Sequence, residues 1–226
     1  MTPTGGGTGP ADAPLYRHPC LDALVERALG LADGGRALLG IVGEPGAGKS
    51  TFAEQLLARL ESARPGCAVA VSMDGFHLAH KVVRARGQTA RKGTIGTFDA
   101  HGFAALLRRT RAERQHTVWW PEFDRALEDP VAAAIEVTAG HRLVVVDGNF
   151  LLSEQGPWRE VGQLLDESWF LDALPEPRRA RLVRRYVEFG FTPEAARAKA
   201  LGVDEETSAL IRATAARADL VLGERG

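Results

Sequence analysis

The segment Gly43-Glu44-Pro45-Gly46-Ala47-Gly48-Lys49-Ser50, followed by Thr51, satisfies the pattern G-x-x-x-x-G-K-[ST]. Before it, Ala37-Leu38-Leu39-Gly40-Ile41-Val42 has the length and composition of a buried strand. After it, Phe52, Leu56, Leu57 and Leu60 recur at helical spacing on one face. Strand, glycine-rich turn and helix in this order constrain the chain more than any other stretch. The glycines let the backbone curl so that successive N–H groups point at one anion, and the following helix adds its positive end. Gly43, Gly46, Ala47, Gly48, Lys49, Ser50 and Thr51 are therefore the expected cradle for the phosphates of a nucleoside triphosphate. Lys49 supplies a charge that reaches the terminal phosphates, and the Ser50 hydroxyl is suited to a Mg²⁺ shell.

A chain of 226 residues is long enough for one α/β domain with a proper core and a small insertion or lid. Its net charge of −1 gives no reason to expect nucleic acid or an acidic membrane surface as a partner. Cys20 and Cys67 form neither a metal spacing nor a disulfide framework, which suits a reducing compartment. No apolar run approaches a membrane span and no signal-peptide pattern opens the chain, so a cytoplasmic location is expected. Residues 1–14, rich in glycine, proline and threonine, read as a disordered tail, and residues 15–226 as a single domain.

Within that domain, residues 15–32 carry apolar positions at helical spacing and stop at Gly34-Gly35. The run 67–73 reads as a buried parallel strand and leads directly into Asp74-Gly75-Phe76-His77. Ligands of open α/β sheets lie at the carboxyl ends of the strands, which puts Asp74 where phosphates would sit. Taken alone, Asp74 is equally a turn former before Gly75 and a group able to accept a hydroxyl proton. Residues 81–97 read as a basic, poorly periodic surface loop, either solvated or a substrate-binding excursion. Asp99 is the expected N-cap of the helix that follows. Trp119 and Trp120 read as one rim and one core residue, and Arg125 as a forked donor fit for a phosphate or polyol.

Leu143-Val144-Val145-Val146-Asp147 is a continuous apolar run ending in an acid, like the second signature strand of nucleotide-binding sheets, whose carboxylate orients Mg²⁺ or its water. Further on, residues 176–189 form an arginine-studded helix on which Arg181 and Arg185 share a face. Such a helix reads either as a solvated charged face or as the lid of a phosphotransferase, here about residues 176–202, with Gly190 as hinge or C-terminal cap. Thr192-Pro193-Glu194 reads as cap, proline and first-turn acid of the next helix, and residues 219–222 as the last strand.

These pieces, in this order and spacing, resemble the phosphoribulokinase/uridine kinase family of P-loop kinases over nearly the whole chain after residue 14. Within it they are most similar to the pantothenate-kinase-like and fructose-transport-associated branch. The residues that carry the likeness are 43–51, Ser72-Met73-Asp74-Gly75-Phe76-His77-Leu78, Lys92-Gly93, Thr97-Phe98-Asp99, Pro121-Glu122-Phe123-Asp124-Arg125, Asp147-Gly148-Asn149-Phe150-Leu151-Leu152 and Arg181-Leu182-Val183-Arg184-Arg185. The resemblance implies a three-layer P-loop fold with a mainly parallel central sheet and a helical lid. It implies Asp74 as catalytic base, Ser50 and Asp147 as Mg²⁺ partners, and Arg181 and Arg185 as lid arginines. It also implies that His77, Phe98, Arg125 and Asn149 line an acceptor site.

Two positions depart from the family pattern. Asp147 stands where Glu is usual, one methylene shorter, which favours contact with Mg²⁺ through water. Thr207-Ser208 stands where an Asn-Ala pair is frequent, close to a polar contact with nucleotide or substrate. The expected activity is ATP-dependent phosphorylation of a hydroxyl on a small molecule: a nucleoside, a sugar or a pantothenate-like alcohol. A non-catalytic ATP-binding regulator or weak ATPase is the alternative. A guanine-reading Asn-Lys-x-Asp element and a transporter-type Leu-Ser-Gly-Gly signature are both missing from the sequence. Many kinases of this kind pair through surface helices, which makes a homodimer the assembly to test.

Overall fold

The computed structural model describes residues 16–17 and 21–224, so the tail expected over residues 1–14 lies outside the described residues. The central sheet has the spatial order β1-β8-β7-β2-β6-β3. Its strands are β1 (Tyr16–Arg17), β2 (Ala37–Gly43), β3 (Ala68–Ser72), β6 (Leu143–Gly148), β7 (Glu167–Asp172) and β8 (Leu220–Glu224). The five longer strands run parallel, and β1 closes one edge antiparallel to β8. The mainly parallel α/β sheet expected from the sequence is thus present.

Alternation along the strands splits the apolar residues between two faces. Leu39, Ile41, Leu143 and Val145 face α1 (Leu21–Leu31) and α2 (Lys49–Ala63), whose Leu24, Val25, Ala28, Phe52, Leu56 and Leu60 complete one core. Leu38, Val42, Val144 and Val146 face the other way. That second core takes Phe103 and Leu107 from α4 (Ala100–Ala112), Trp158 and Val161 from α5 (Trp158–Leu164), and Ile211 from α8 (Val203–Arg212). The sheet is therefore buried on both faces, as parallel sheets are. A third, small core of Leu182, Tyr186, Ala196 and Ala200 joins α6 (Pro175–Glu188) to α7 (Pro193–Leu201), the segment expected as a lid.

Several local expectations hold. Asp99 accepts from the Gly102 amide at 2.9 Å and caps α4, and the Thr192 hydroxyl accepts from the Ala195 amide at 3.2 Å and caps α7. Trp120 is fully buried and Trp119 is 46% exposed, which confirms the core-and-rim reading. Others need correction. The run 67–73 is only partly buried, because β3 is an edge strand with β6 as its one sheet neighbour. Residues 81–97 are not an open loop but α3 (His80–Ala85) followed by two short 3₁₀ turns, Thr89–Arg91 and Ile95–Thr97. Last, residues 117–138 form a hairpin outside the central sheet, β4 (Val118–Asp124) against β5 (Asp129–Val137).

The hairpin is seated by a close approach. A Cβ built on Gly75, directly after Asp74, would lie 2.4 Å from the Pro121 carbonyl oxygen of β4. Backbone is the obstacle, so no rotamer change relieves it. Gly75→Ala is expected to destabilise the protein by roughly 1–3 kcal/mol through overpacking, read as a lower denaturation midpoint at unchanged denaturant slope.

Candidate active site

The carboxyl ends of β2, β3 and β6 open into a cleft of about 500 Å³. At the end of β2 the phosphate loop turns through Gly46 at φ +78° and Gly48 at φ +89°, both in the left-handed region that favours glycine. α2 begins at once, with the Phe52 amide donating to the Gly48 carbonyl at 2.9 Å. Amide groups at this helix start and its positive end therefore face the cleft. Lys49 Nζ donates to the carbonyls of Gly43 and Glu44 at 3.0 and 3.1 Å, which folds the side chain back along the loop.

Beside it, Ser50 Oγ donates to Asp147 Oδ2 at 3.2 Å. Parallel pairing puts Asp147 level with Ile41 of β2 and Ser72 of β3, so its carboxylate sits at the centre of the sheet's carboxyl edge. Burial raises its pKa to about 6, with the nearby Asp74 charge adding to the effect and Lys49 and the Ser72 and Ser50 hydroxyls opposing it. The mirror effect acts on Lys49, whose pKa falls to about 8, chiefly through burial, while Asp147 and Asp74 pull it back up. Each group is held in a charge state that an incoming ion of opposite sign would stabilise.

Asp74 lies in a 3₁₀ turn (Met73–Phe76) whose start is capped by Ser72, the hydroxyl accepting from the Asp74 amide at 3.1 Å. Its side chain stays a third exposed, with Arg125 Nη2 at 3.6 Å from Oδ2. His77 Nδ1 lies 2.8 Å from the Asp74 carbonyl, which can only accept, so this nitrogen carries the proton. Burial lowers the His77 pKa, which keeps the ring neutral near pH 7. An isolated antiparallel bridge joins His77 to Phe98 and brings their rings together at a tilt, centroids 4.1 Å apart, with the Phe123 ring likewise tilted against His77 at 4.8 Å. Arg125 lies between two phenyl rings, 6.0 Å from Phe123 and 5.7 Å from Phe189. Arg181 Nε donates to the Gly46 carbonyl at 2.9 Å. Arg185 points its guanidinium over the Tyr186 ring.

Lys49, Ser50, Asp74, Asp147, Arg181 and Arg185 all line this one cleft, together with His77, Phe98, Arg125 and Asn149. Of the loop residues, Gly46, Gly48 and Thr51 line it too, whereas Gly43 and Ala47 are buried behind it. Thr207 and Ser208 are buried in α8 and do not line the cleft. Sequence reasoning missed the outer wall: Phe123 and Glu128 from the hairpin, Tyr186, Phe189, Phe191 and Lys199 from the α6–α7 segment, and Asp204 from the start of α8. No motif marks them, since they meet only through the packing of α6, α7 and the hairpin. Of the basic segment 81–97, Lys92 lines the cleft, while Arg84, Arg86 and Arg91 are exposed and do not.

No family model matches the chain. An ATP-dependent kinase-like protein of Aspergillus versicolor, notR', is 37% identical over 134 residues, which span 56% of this chain and 78% of the relative. A candidate uridine kinase of Schizosaccharomyces pombe is 32% identical over 161 residues, 69% of this chain and 68% of the relative. The crystal structure of a candidate fructose transport system kinase from Silicibacter superposes with a TM-score of 0.82 and 37% identity, over 90% of this chain and 99% of that one. The yeast protein YFH7 has the same fold at 18% identity, with a TM-score of 0.78 over 92% of this chain and 99% of its own. With sequence and fold shared along most of these relatives, the chain belongs to the phosphoribulokinase/uridine kinase family of P-loop kinases.

Proposed function

We propose that the protein transfers the γ-phosphoryl group of ATP to a hydroxyl of a small molecule, with Asp74 as the base. The observation that carries this reading is the convergence of Asp74, Lys49, Asp147 and the lid arginines on one cleft. Phosphoryl transfer asks little covalent chemistry of a protein and much positioning and charge. The acceptor hydroxyl gives its proton to an Asp74 carboxylate oxygen as its oxygen bonds to the γ-phosphorus. The bond from that phosphorus to the β–γ bridging oxygen breaks, and ADP carries away the electron pair. Lys49, Arg181 and Arg185 hold the developing phosphate charge.

The donor set suits Mg²⁺. Ser50 and Asp147 offer hard oxygens beside each other, and the raised pKa of Asp147 reflects a carboxylate in want of a cation. Among the described residues no group of three or more His, Cys, Asp or Glu forms a metal cage, as fits an ion completed by water and substrate phosphates. When bound, Mg²⁺ would neutralise charge on the phosphates. His77, Phe98, Arg125 and Asn149 line the same cleft, and their mix of aromatic, cationic and amide groups suits them to hold the acceptor, a nucleoside, sugar or pantothenate-like alcohol. No described helix is long and apolar enough to cross a membrane.

Asp74→Asn is expected to lower kcat by on the order of 10²–10⁴ while leaving ATP affinity within a few-fold of wild type, measured by turnover against a panel of alcohols and by equilibrium binding. Full turnover by that variant removes Asp74 from the role. A second expectation concerns pH. The Lys49 pKa lies below its ordinary value, so the cation is present below about pH 8 and lost above it. ATP affinity at fixed Mg²⁺ should therefore decline as pH rises from 7 to 9, and Lys49→Met should weaken binding and flatten that slope.

A further inference from the structure

Glu44, inside the phosphate loop, is 2% exposed, and Arg178, in the first turn of α6, is fully buried. Arg178 Nε lies 2.7 Å from Glu44 Oε2, an ion pair whose N–H is not aligned as a hydrogen bond. Its Nη1 donates to the Pro45 carbonyl at 3.2 Å and its Nη2 to Glu205 Oε2 at 2.5 Å. Arg212, at the end of α8, donates to both Glu44 carboxylate oxygens at 2.6 and 3.1 Å. Arg179 donates to both Glu205 oxygens, from Nε to Oε2 at 3.2 Å and from Nη2 to Oε1 at 3.1 Å. The Glu205 carboxyl is held down to about 2, first by the Arg179 hydrogen bond. At the same place Leu182 reaches Gly46, where an added Cβ would stand 2.7 Å from its Cγ and 2.9 Å from the Arg178 carbonyl. Loop and lid root are packed as one unit.

A carboxylate buried in an anion-binding loop opposes the loop's purpose. In a partly dry site its field extends over several ångströms, and Lys49 lies within it, since Glu44 is among the charges that raise the Lys49 pKa. Stability alone is a weak reason for a buried ion pair, because apolar residues of similar volume often serve as well. Geometry supplies another reason. Arg178, Arg181, Leu182 and Arg185 are spaced i, i+3, i+4 and i+7, so one stripe of α6 carries the pair, the contact to Gly46 and both cleft arginines.

We propose that Arg178 acts on nucleotide binding through Glu44, as a positioning residue that screens the buried Glu44 carboxylate from the incoming triphosphate. This rests on the reading of the cleft as an ATP site. The test is equilibrium titration of a fluorescent ATP analogue into wild type, Arg178→Met, Glu44→Gln and the double variant, with the thermal midpoint of each recorded. Arg178→Met, which leaves Glu44 buried with only half-exposed Arg212, should weaken binding by roughly tenfold or more. Removing both charges should restore affinity to within about threefold of wild type, and Glu44→Gln alone should bind at least as tightly as wild type.

A mere brace predicts a different order, with both single variants weakened alike and no rescue in the double. That order, or wild-type affinity in a folded Arg178→Met, overturns the inference. Should Arg178→Met fail to fold, Glu44→Gln decides, because a tenfold loss there contradicts charge screening and unimpaired binding supports it. A wild-type chain that binds no ATP removes the nucleotide reading and this inference with it. Binding by wild type with all variants unaffected removes this inference alone.

Discussion

A parallel strand buried on both faces leaves polar chemistry no place except its ends. β2 is buried along its whole length, and β6 is buried except at Asp147. Their side-by-side pairing, with β3 beyond, brings three chain turns to one rim: the phosphate loop, the turn bearing Asp74, and Asp147 itself. Everything the cleft does depends on that shared edge. Ligand sites outside the carboxyl ends of open sheets have the same cause wherever they occur.

Asp147 is pushed towards its neutral form by burial and Asp74, and Lys49 is pushed towards its neutral form by burial. Their mutual attraction offsets only part of the desolvation. In the proposed reaction, a polyanion accompanied by a divalent cation would satisfy both at once. Asp74 stands slightly apart, partly exposed to the cleft and with Arg125 as a loose neighbour.

Around this rim the remaining walls come from elements with separate packing. The hairpin of β4 and β5 rests on the Gly75 turn and delivers Phe123 and Arg125. The lid helices have their own small core and deliver Tyr186, Phe189 and Lys199. Arg125, lying between a hairpin phenyl ring and a lid phenyl ring, is where these two walls meet. At its root, by contrast, α6 is tied to the loop through Arg178, Glu44 and Leu182.

The phosphate loop, the strand ending in Asp147, the Asp99 and Thr192 caps and the arginine face of α6 were all legible in the amino-acid order. Each depends on residues within a few positions of one another, where spacing alone dictates geometry. The hairpin, the short helix at His80–Ala85 and the aromatic outer wall of the cleft were not legible. Their residues carry no periodic signal and meet across long stretches of chain, as Phe123 and Phe189 do on either side of Arg125. Nor could Glu44 be told from any other variable position of the loop. Arg178 from α6 and Arg212 from α8 close over it, and burial is what turns a common surface acid into a charge that must be paired.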